Sequence, residues 1–238
     1  MNDRQEALIA RVLDVLAQRF DRRAILRGGM VLRVLGSPRF TNDLDYVFVP
    51  YKSKREIVSE VVECLKGIEG ARVSHSLNSK CLRVVVAQDD IAIQVEAKVA
   101  LSAQTSMAST RLFSRQFNLP PRMVCVMDHS VALAHNLAAW NERRLVRDIY
   151  DVCFLLQMGI KPDEDTLEQR LRKPSYSRFV KAAERFPGTS AAEFYDFVRE
   201  RISRLSEEEI MDALSDYLRP EEIQGLGMQF RAVLTRLV

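Results

Sequence analysis

Apolar positions in the first part of the chain recur at helical spacing. From Glu6 to Phe20, one helical face carries the apolar side chains Leu8, Ile9, Val12, Leu13, Val15 and Leu16. A short apolar run, Ala24 to Leu26, then reaches the pair Gly28-Gly29, and a second helical pattern covers Met30 to Leu35. This order predicts a helix, a strand, a glycine turn and a short helix.

Alternating positions rich in Val, Tyr and Phe predict a strand from Asp43 to Val49, and helical spacing returns from Ser53 to Lys66. Further strands are predicted at Arg72–Ser76, Cys81–Ala87 and Ile91–Val99. The first half of the chain is therefore expected to form a mixed sheet with flanking helices.

The spacing of apolar positions changes in the second half of the chain. Residues 102–121 are polar and carry no clear period, which predicts a loop. Period 3.6 then continues almost to the end and predicts helices at Asp128–Trp140, Val146–Met158, Thr166–Arg172, Ser175–Arg185, Ala191–Leu205, Glu207–Tyr217 and Glu221–Leu237. We expect an α+β protein with a sheet domain over residues 1–120 and a helical lobe over residues 121–238.

Composition narrows the classes of function only slightly. A net charge of +3 is small beside 35 basic and 32 acidic side chains, so any nucleic acid must be bound by a local patch. The four cysteines form no CxxC pair, which argues against a disulfide framework or a zinc site. No apolar stretch approaches the roughly 18 residues of a membrane span. We expect a cytoplasmic protein with no membrane partner.

Two carboxylates two residues apart mark the predicted strand that begins at Asp43. Residues at this spacing point to the same face, so Asp43 and Asp45 would lie roughly 6 to 7 Å apart along one side. Such a pair suits two hard divalent ions that clamp a phosphoryl transfer. Glu96 is the candidate third ligand, and an ion pair between Glu96 and Lys98 is the structural alternative. Acids that simply begin a strand are the alternative for the pair itself.

The pair Gly28-Gly29 lies between a predicted strand and a predicted helix. Free backbone N–H groups and the helix dipole favour phosphate there, and glycine allows a close approach of the backbone. An ordinary tight turn is the alternative interpretation. The nearby Asp43 and Asp45 favour the phosphate-binding interpretation.

Two segments resemble motifs of a known family. Residues 26–33, which include Gly28-Gly29, and residues 39–46, which include Thr41 and Asp43-Leu44-Asp45-Tyr46, resemble the first motif of the AbiEii/MenT-like nucleotidyltransferases of the polymerase-beta superfamily. Arg143 and residues 147–156 resemble the family's helical Arg-Asp-x-x-Asp-Leu motif, with Val152 in place of its Leu. The resemblance covers residues from about 25 to 156.

The residues and the resemblance together predict a metal-dependent transfer of a nucleoside monophosphate from an NTP to an acceptor hydroxyl. The predicted ligands of two Mg²⁺ ions are Asp43, Asp45 and Glu96, and the predicted catalytic residues are Asp43, Asp45 and Asp148. The predicted nucleotide-binding residues are Gly28, Gly29, Arg33, Arg39, Thr41, Arg143 and Arg147. For Asp148 and Arg147, the structural alternative is a salt-bridged helix face with the pairs Arg144–Asp148 and Arg147–Asp151.

The resemblance further implies the toxin of a bacterial toxin–antitoxin or phage-defence pair. Some members add nucleotides to the 3′ end of tRNA, so RNA is the expected acceptor and an antitoxin a possible partner. A lysine that the family often carries before the Arg-Asp motif is absent from Ala134–Trp140, and Arg143, Arg144 or Lys98 would replace it. Two alternatives remain: a catalytically inactive binding module, and a transferase acting on a small hydroxylated molecule.

A basic stripe on the predicted helix Ser175–Arg185 is a second place where RNA could bind. It comprises Arg178, Lys181 and Arg185, with Arg172 and Lys173 just before it. A solvated helix face is the alternative. The nearby aromatic residues Trp140, Tyr176, Phe179 and Phe186 are at helical spacing, which is typical of core positions.

Overall fold

The computed structural model describes residues 3–174 and 184–238. These residues form two compact units, the first ending at Asp128 and the second beginning at His129. The predicted helix Ser175–Arg185 lies outside the described residues except for Glu184 and Arg185, and Tyr176, Arg178, Phe179 and Lys181 are among the residues outside. In the described ranges, no helix combines the length and the apolar character needed to cross a membrane.

In its described residues, 3–128, the first unit contains seven strands and four α-helices. The strands are β1 Ala24–Arg27, β2 Asp43–Phe48, β3 Arg72–Leu77, β4 Leu82–Gln88, β5 Ile91–Val99, β6 Thr105–Ser109 and β7 Met123–Met127. The helices are α1 Asp3–Phe20, α2 Gly29–Val34, α3 Val58–Lys66 and α4 Arg111–Ser114. The strand order is β3-β4-β5-β2-β1-β7-β6, with β2–β5 and β1–β7 parallel and the other neighbours antiparallel.

The two faces of the sheet differ in polarity. Along β4, Leu82, Val84 and Val86 are buried, and along β5 Ile93, Val95 and Ala97 are buried, in a core that α1 and α3 cover. The residues between them point to the other face, because side chains alternate along a strand. That second face carries the charged and polar residues from which the candidate site is built.

The second unit is helical in its described part. Its helices are α5 His129–Arg143, α6 Val146–Gln157, α7 Glu164–Arg172, α8 Ala191–Ser203, α9 Glu207–Leu214, α10 Pro220–Ile223 and α11 Leu226–Leu234. Helix α5 packs against α6 and α7, and α11 packs against α6, α8 and α9. A mixed sheet followed by a helical unit confirms the predicted fold class.

The prediction of a loop over residues 102–121 was wrong. This region forms β6, α4 and a 3-10 turn at Arg115–Phe117, and β7 follows directly. Strand β6 is Ser- and Thr-rich and lies at the edge of the sheet. Its extended conformation comes from hydrogen bonding to β7, because its composition alone has little preference for a strand. The sheet therefore continues to Met127, past the boundary expected near residue 120.

Two predicted helices are interrupted. The helix expected from Ser53 to Lys66 is a 3-10 turn, Lys54–Glu56, followed by α3, and Ser53 caps that turn in a capping box with Glu56. The helix expected from Glu221 to Leu237 is divided into α10 and α11. The break lies where Gln224 is extended and Gly225 adopts φ +79°, a left-handed conformation that ends a helix.

Candidate active site

A row of charged residues crosses the polar face of the sheet. Strand pairing places Arg27 opposite Asp45, Asp45 opposite Glu96, and Glu96 opposite Arg83, across β1, β2, β5 and β4. Two carboxylates therefore lie at the centre of the row, on neighbouring strands about 4.8 Å apart. An arginine lies at each end.

Asp45 is the half-buried member of the carboxylate pair predicted from the sequence, and Asp43 is the exposed one. Burial raises the pKa of Asp45, and the negative charges of Glu96 and Asp43 raise it further, while Arg27 and Lys98 act in the opposite direction. The surroundings of Asp45 thus disfavour its ionised form. A cation bound beside it would offset that penalty.

Glu96 has defined partners in the row. One of its carboxylate oxygens accepts from Arg83 at 2.9 Å and from the Gln94 side-chain amide at 3.0 Å. The sequence offered Lys98 as the structural partner of Glu96, but Arg83 forms the ion pair. Arg83 and Arg27 were both missed, because strand register across the sheet is not visible in the sequence.

The glycine turn lies directly against Asp45. A Cβ atom built on Gly28 would be 2.8 Å from an Asp45 carboxylate oxygen, and Gly28 itself adopts φ +71° and ψ −158°. That combination of angles is essentially confined to glycine. The conformation of Gly28 and its closeness to Asp45 together require glycine at this position.

Gly29 lies against Arg39 and Thr41. A Cβ atom on Gly29 would be 2.5 Å from an Arg39 guanidinium nitrogen and 3.3 Å from the Thr41 hydroxyl oxygen. The Arg39 residue is only 6% exposed, and its guanidinium also donates to the backbone carbonyl of Phe40 at 3.0 Å. Four of the predicted residues, Gly28, Gly29, Arg39 and Thr41, therefore lie together with Asp45.

Arg33 points to a different set of partners. Its guanidinium donates to one Glu6 carboxylate oxygen at 2.9 and 2.8 Å and to the Ser37 carbonyl at 3.1 Å. It also lies over the rings of Phe40 and Phe113. Both side chains of the Arg33–Glu6 pair are nearly buried. Of the two arginines proposed to contact phosphate, Arg39 lies at the turn and Arg33 joins α2 to α1.

In the second unit, the predicted Arg-Asp motif lies at the end of α5 and the start of α6. Both oxygens of Asp148 accept from the Arg143 guanidinium, at 2.8 and 2.6 Å. The Asp148 side chain is 2% exposed and that of Arg143 is 40% exposed. The hydrogen bonds to Asp148 raise the pKa of Arg143 despite its partial burial. Asp148 thus fixes the guanidinium of a side chain that remains partly exposed.

The helix-face pairs considered from the sequence are replaced by other contacts. Asp148 pairs with Arg143 and not with Arg144. Arg147 donates to the Tyr217 hydroxyl at 2.7 Å and lies over the Tyr217 ring. Asp151 is buried. The motif therefore connects α5, α6 and the segment after α9.

The carboxylates at the sheet fit a magnesium ion that waters and substrate phosphates also bind. Within the described residues, no three His, Cys, Asp or Glu side chains come together closely enough to hold a metal ion by themselves. Magnesium does not require such a cage, because it is usually bound by one or two carboxylates together with waters and substrate phosphates. Asp43 and Asp45 supply two hard oxygen donors on one face, beside a turn that allows close approach.

The fold has been seen in other proteins. MenT4, a nucleotidyltransferase toxin from Mycobacterium tuberculosis H37Rv, is 17% identical, with a TM-score of 0.62 over 98% of this chain and 82% of its own. JHP933 from Helicobacter pylori is 13% identical, with a TM-score of 0.56 over 98% of this chain and 90% of its own. No curated protein sequence matches the chain. At these identities the likeness shows that the chain shares its fold with these proteins.

A protein-family model matches most of the chain. The model of the nucleotidyl transferase AbiEii toxin, type IV toxin–antitoxin system, matches residues 11–235. The chain belongs to this family of nucleotidyltransferase toxins. The resemblance noted from the two motifs is thereby confirmed, and the family implies an NTP substrate and an antitoxin partner.

Proposed function

We propose that this chain transfers a nucleoside monophosphate from an NTP to a hydroxyl of RNA, at the 3′ end of tRNA, and acts in this way as a toxin. The observation that carries the proposal is the position of Asp45. It lies in a row with Glu96, next to Asp43 on its own strand, and directly against the Gly28-Gly29 turn. Carboxylates and a phosphate-accessible backbone are the two components that metal-dependent nucleotidyl transfer needs.

Asp43 and Asp45 hold the divalent ions in this proposal, with Glu96 in support. Mg²⁺, when bound, neutralises charge on the triphosphate and on the transferring phosphoryl group. The Gly28-Gly29 backbone, Arg39 and the Thr41 hydroxyl contact the phosphates. The acceptor oxygen bonds to the α-phosphorus while its proton passes to solvent. The bond from that phosphorus to the β-bridging oxygen breaks, and pyrophosphate leaves.

The residues of the second unit take more specific roles than the motif alone suggests. Arg143 has a partly exposed side chain and is the cation that we assign to nucleotide phosphate, in place of the lysine that α5 lacks. Asp148 is buried and acts as a positioning residue that holds Arg143 through two hydrogen bonds. Arg147, oriented by Tyr217, supplies a second positive charge.

The test is incubation of the protein with each α-labelled NTP, Mg²⁺ and total bacterial RNA. The wild type is compared with the double variant Asp43→Ala, Asp45→Ala. A matched control removes Asp89 and Asp90, two exposed carboxylates of the β4–β5 turn that pair with Arg4. We expect labelled RNA from the wild type and the control, and none from the Asp43, Asp45 variant.

Two other results would redirect the proposal. NTP binding without transfer to any acceptor would indicate an inactive binding module. Pyrophosphate release only when small hydroxylated molecules replace RNA would indicate a small-molecule transferase.

A further inference from the structure

A cluster of arginine and aromatic side chains in the second unit has no role in the proposed reaction. It comprises Arg144 and Arg201 with the rings of Trp140 and Phe197, and it is called here the arginine–aromatic cluster. Arg144 directly follows α5 and adopts φ +55°. Its guanidinium lies 4.1 Å from the ring centroid of Trp140 and 5.0 Å from that of Phe197. Arg201 lies 5.2 Å from the same Phe197 ring.

The hydrogen bonding of Arg144 is incomplete. One terminal nitrogen, Nη2, donates to the backbone carbonyl of Glu184 at 2.5 Å. The other, Nη1, is shielded from solvent and has no hydrogen-bond partner among the described residues. Buried donors in folded proteins nearly always have a partner, so this nitrogen requires an explanation. Because Nη1 is shielded, Arg144 contributes its positive charge to a ligand at the surface, and not this nitrogen as a donor.

The local charge balance also favours an anion. Burial lowers the pKa of Arg144 to about 10, and the charges of Arg201 and Arg185 add to that effect, with only Glu184 acting against it. In the described part of the chain, no ion pair engages Arg201, whose side chain is exposed. Positive charges therefore converge at one place with little compensation.

We propose that the arginine–aromatic cluster binds the phosphate backbone of the RNA acceptor. Planar guanidinium groups match phosphate oxygens, and the exposed guanidinium of Arg201 lies at the same Phe197 ring as the positively charged Arg144. Single-stranded RNA also stacks its bases on aromatic rings and on guanidinium planes, both of which the half-buried Phe197 and Arg201 offer. This inference rests on the proposed function, because it assumes an RNA acceptor.

The test measures RNA binding without catalysis. Fluorescence anisotropy of a short labelled single-stranded RNA is recorded over a range of salt concentrations, with no NTP and no divalent metal. Variants are Arg201→Ala and Arg201→Lys, and the control is Arg19→Ala. Arg19 is an exposed arginine of α1 that pairs with Glu60, so its removal changes the net charge equally.

Wild type, Arg201→Lys and Arg19→Ala are expected to share one salt dependence. Arg201→Ala is expected to bind more weakly, and the slope of log affinity against log salt should fall by about 0.7, the contribution of one single-strand phosphate contact. Equal slopes for Arg201→Ala and Arg19→Ala would overturn the inference. Absence of RNA binding by the wild type would also overturn it.

Trp140 provides a second readout, because it is the only tryptophan of the chain and lies against Arg144. Its emission is expected to change when RNA saturates the wild type, and to change much less at equal RNA in Arg201→Ala. No change with saturating RNA would contradict the assignment. An equal response to tripolyphosphate at equal phosphate concentration would indicate an anion site with no preference for RNA and would also overturn it.

The two proposals fail in different ways. RNA binding that is independent of Arg201 leaves nucleotidyl transfer at Asp43 and Asp45 intact. Loss of transfer leaves RNA binding by the cluster measurable, because the binding assay contains no substrate NTP.

Discussion

Replacement of Gly28 by alanine tests how closely the glycine turn controls Asp45. The substitution adds one methyl group and removes no charge. Its Cβ would lie 2.8 Å from the Asp45 carboxylate oxygen, whereas ordinary contact begins at 3.4 Å. The carboxylate must therefore retreat by about 0.6 Å. The change acts on the site through position alone.

Two effects of different size follow. The backbone at φ +71° and ψ −158° is unfavourable for alanine, which should lower the free energy of unfolding by about 1 to 3 kcal/mol. A displacement of 1 Å in a catalytic group costs about 100-fold in rate. A displacement of about 0.6 Å should therefore reduce the rate of nucleotidyl transfer on the order of tenfold.

Gly70→Ala is the matched control. Gly70 has φ +72°, nearly the value of Gly28, and lies in the same unit between α3 and β3. Its added Cβ would meet only the flexible amide end of Gln88, at 3.1 Å. Gly70→Ala is thus expected to lose stability without losing transfer activity per folded molecule.

The assays are urea denaturation for stability and pyrophosphate release for activity, with activity normalised to the folded fraction. The reasoning is refuted if both alanine variants lose the same normalised activity. It is also refuted if Gly28→Ala retains the wild-type rate while it loses stability.

Three further predictions concern charged residues of the two units. Asp45→Asn should raise the melting temperature of the metal-free protein at neutral pH, because the raised pKa of Asp45 makes its ionisation destabilising. The melting temperatures of the wild type and of Asp45→Asn should converge as the pH falls below 3.8, the ordinary pKa of an aspartate, because the carboxyl is then neutral in both the folded and the unfolded chain. A difference in melting temperature that persists in acid would contradict this. Arg143→Met should lower the free energy of unfolding in urea by about 2 to 3 kcal/mol, because it leaves the Asp148 carboxylate buried without its ion-pair partner. The loss is at the lower end for a buried pair, because solvent screens the partly exposed Arg143. Adding Asp148→Asn should recover most of that loss, and no recovery would argue against the pair. Arg39→Met should raise the KM for NTP about tenfold or more in the pyrophosphate assay, whereas Arg33→Met should lower stability with little change in KM; the opposite pattern would exchange the roles assigned to the two arginines.

Local patterns in the sequence were sufficient for most of the elements. The helical stripe in α1 and the alternation in β2, β4 and β5 come from side chains that face one core, so their periods are visible in the chain. Strand β6 was missed for the opposite reason. Its residues carry little strand preference, and only the pairing with β7 makes them a strand.

The candidate site could be predicted in part. Asp43, Asp45 and the glycine pair form local motifs, so they are recognisable without a structure. Arg27 and Arg83 depend on the register of β1, β2, β5 and β4, which is set by packing between strands distant in sequence. The partner of Asp148 is Arg143, five residues earlier, across the turn between α5 and α6. Helix spacing alone pointed instead to Arg144.

The most direct test of the central claim is the Mg²⁺ dependence of pyrophosphate release from NTP in the presence of RNA. Wild type is compared with Asp45→Asn, and Asp89→Asn serves as the control carboxylate. We predict a rate that saturates with Mg²⁺ in the wild type and the control, and a rate at least about 100-fold lower in Asp45→Asn. Equal rates for Asp45→Asn and the wild type, or a wild-type rate that does not depend on divalent metal, would contradict the assignment of Asp43 and Asp45 as the metal-binding carboxylates.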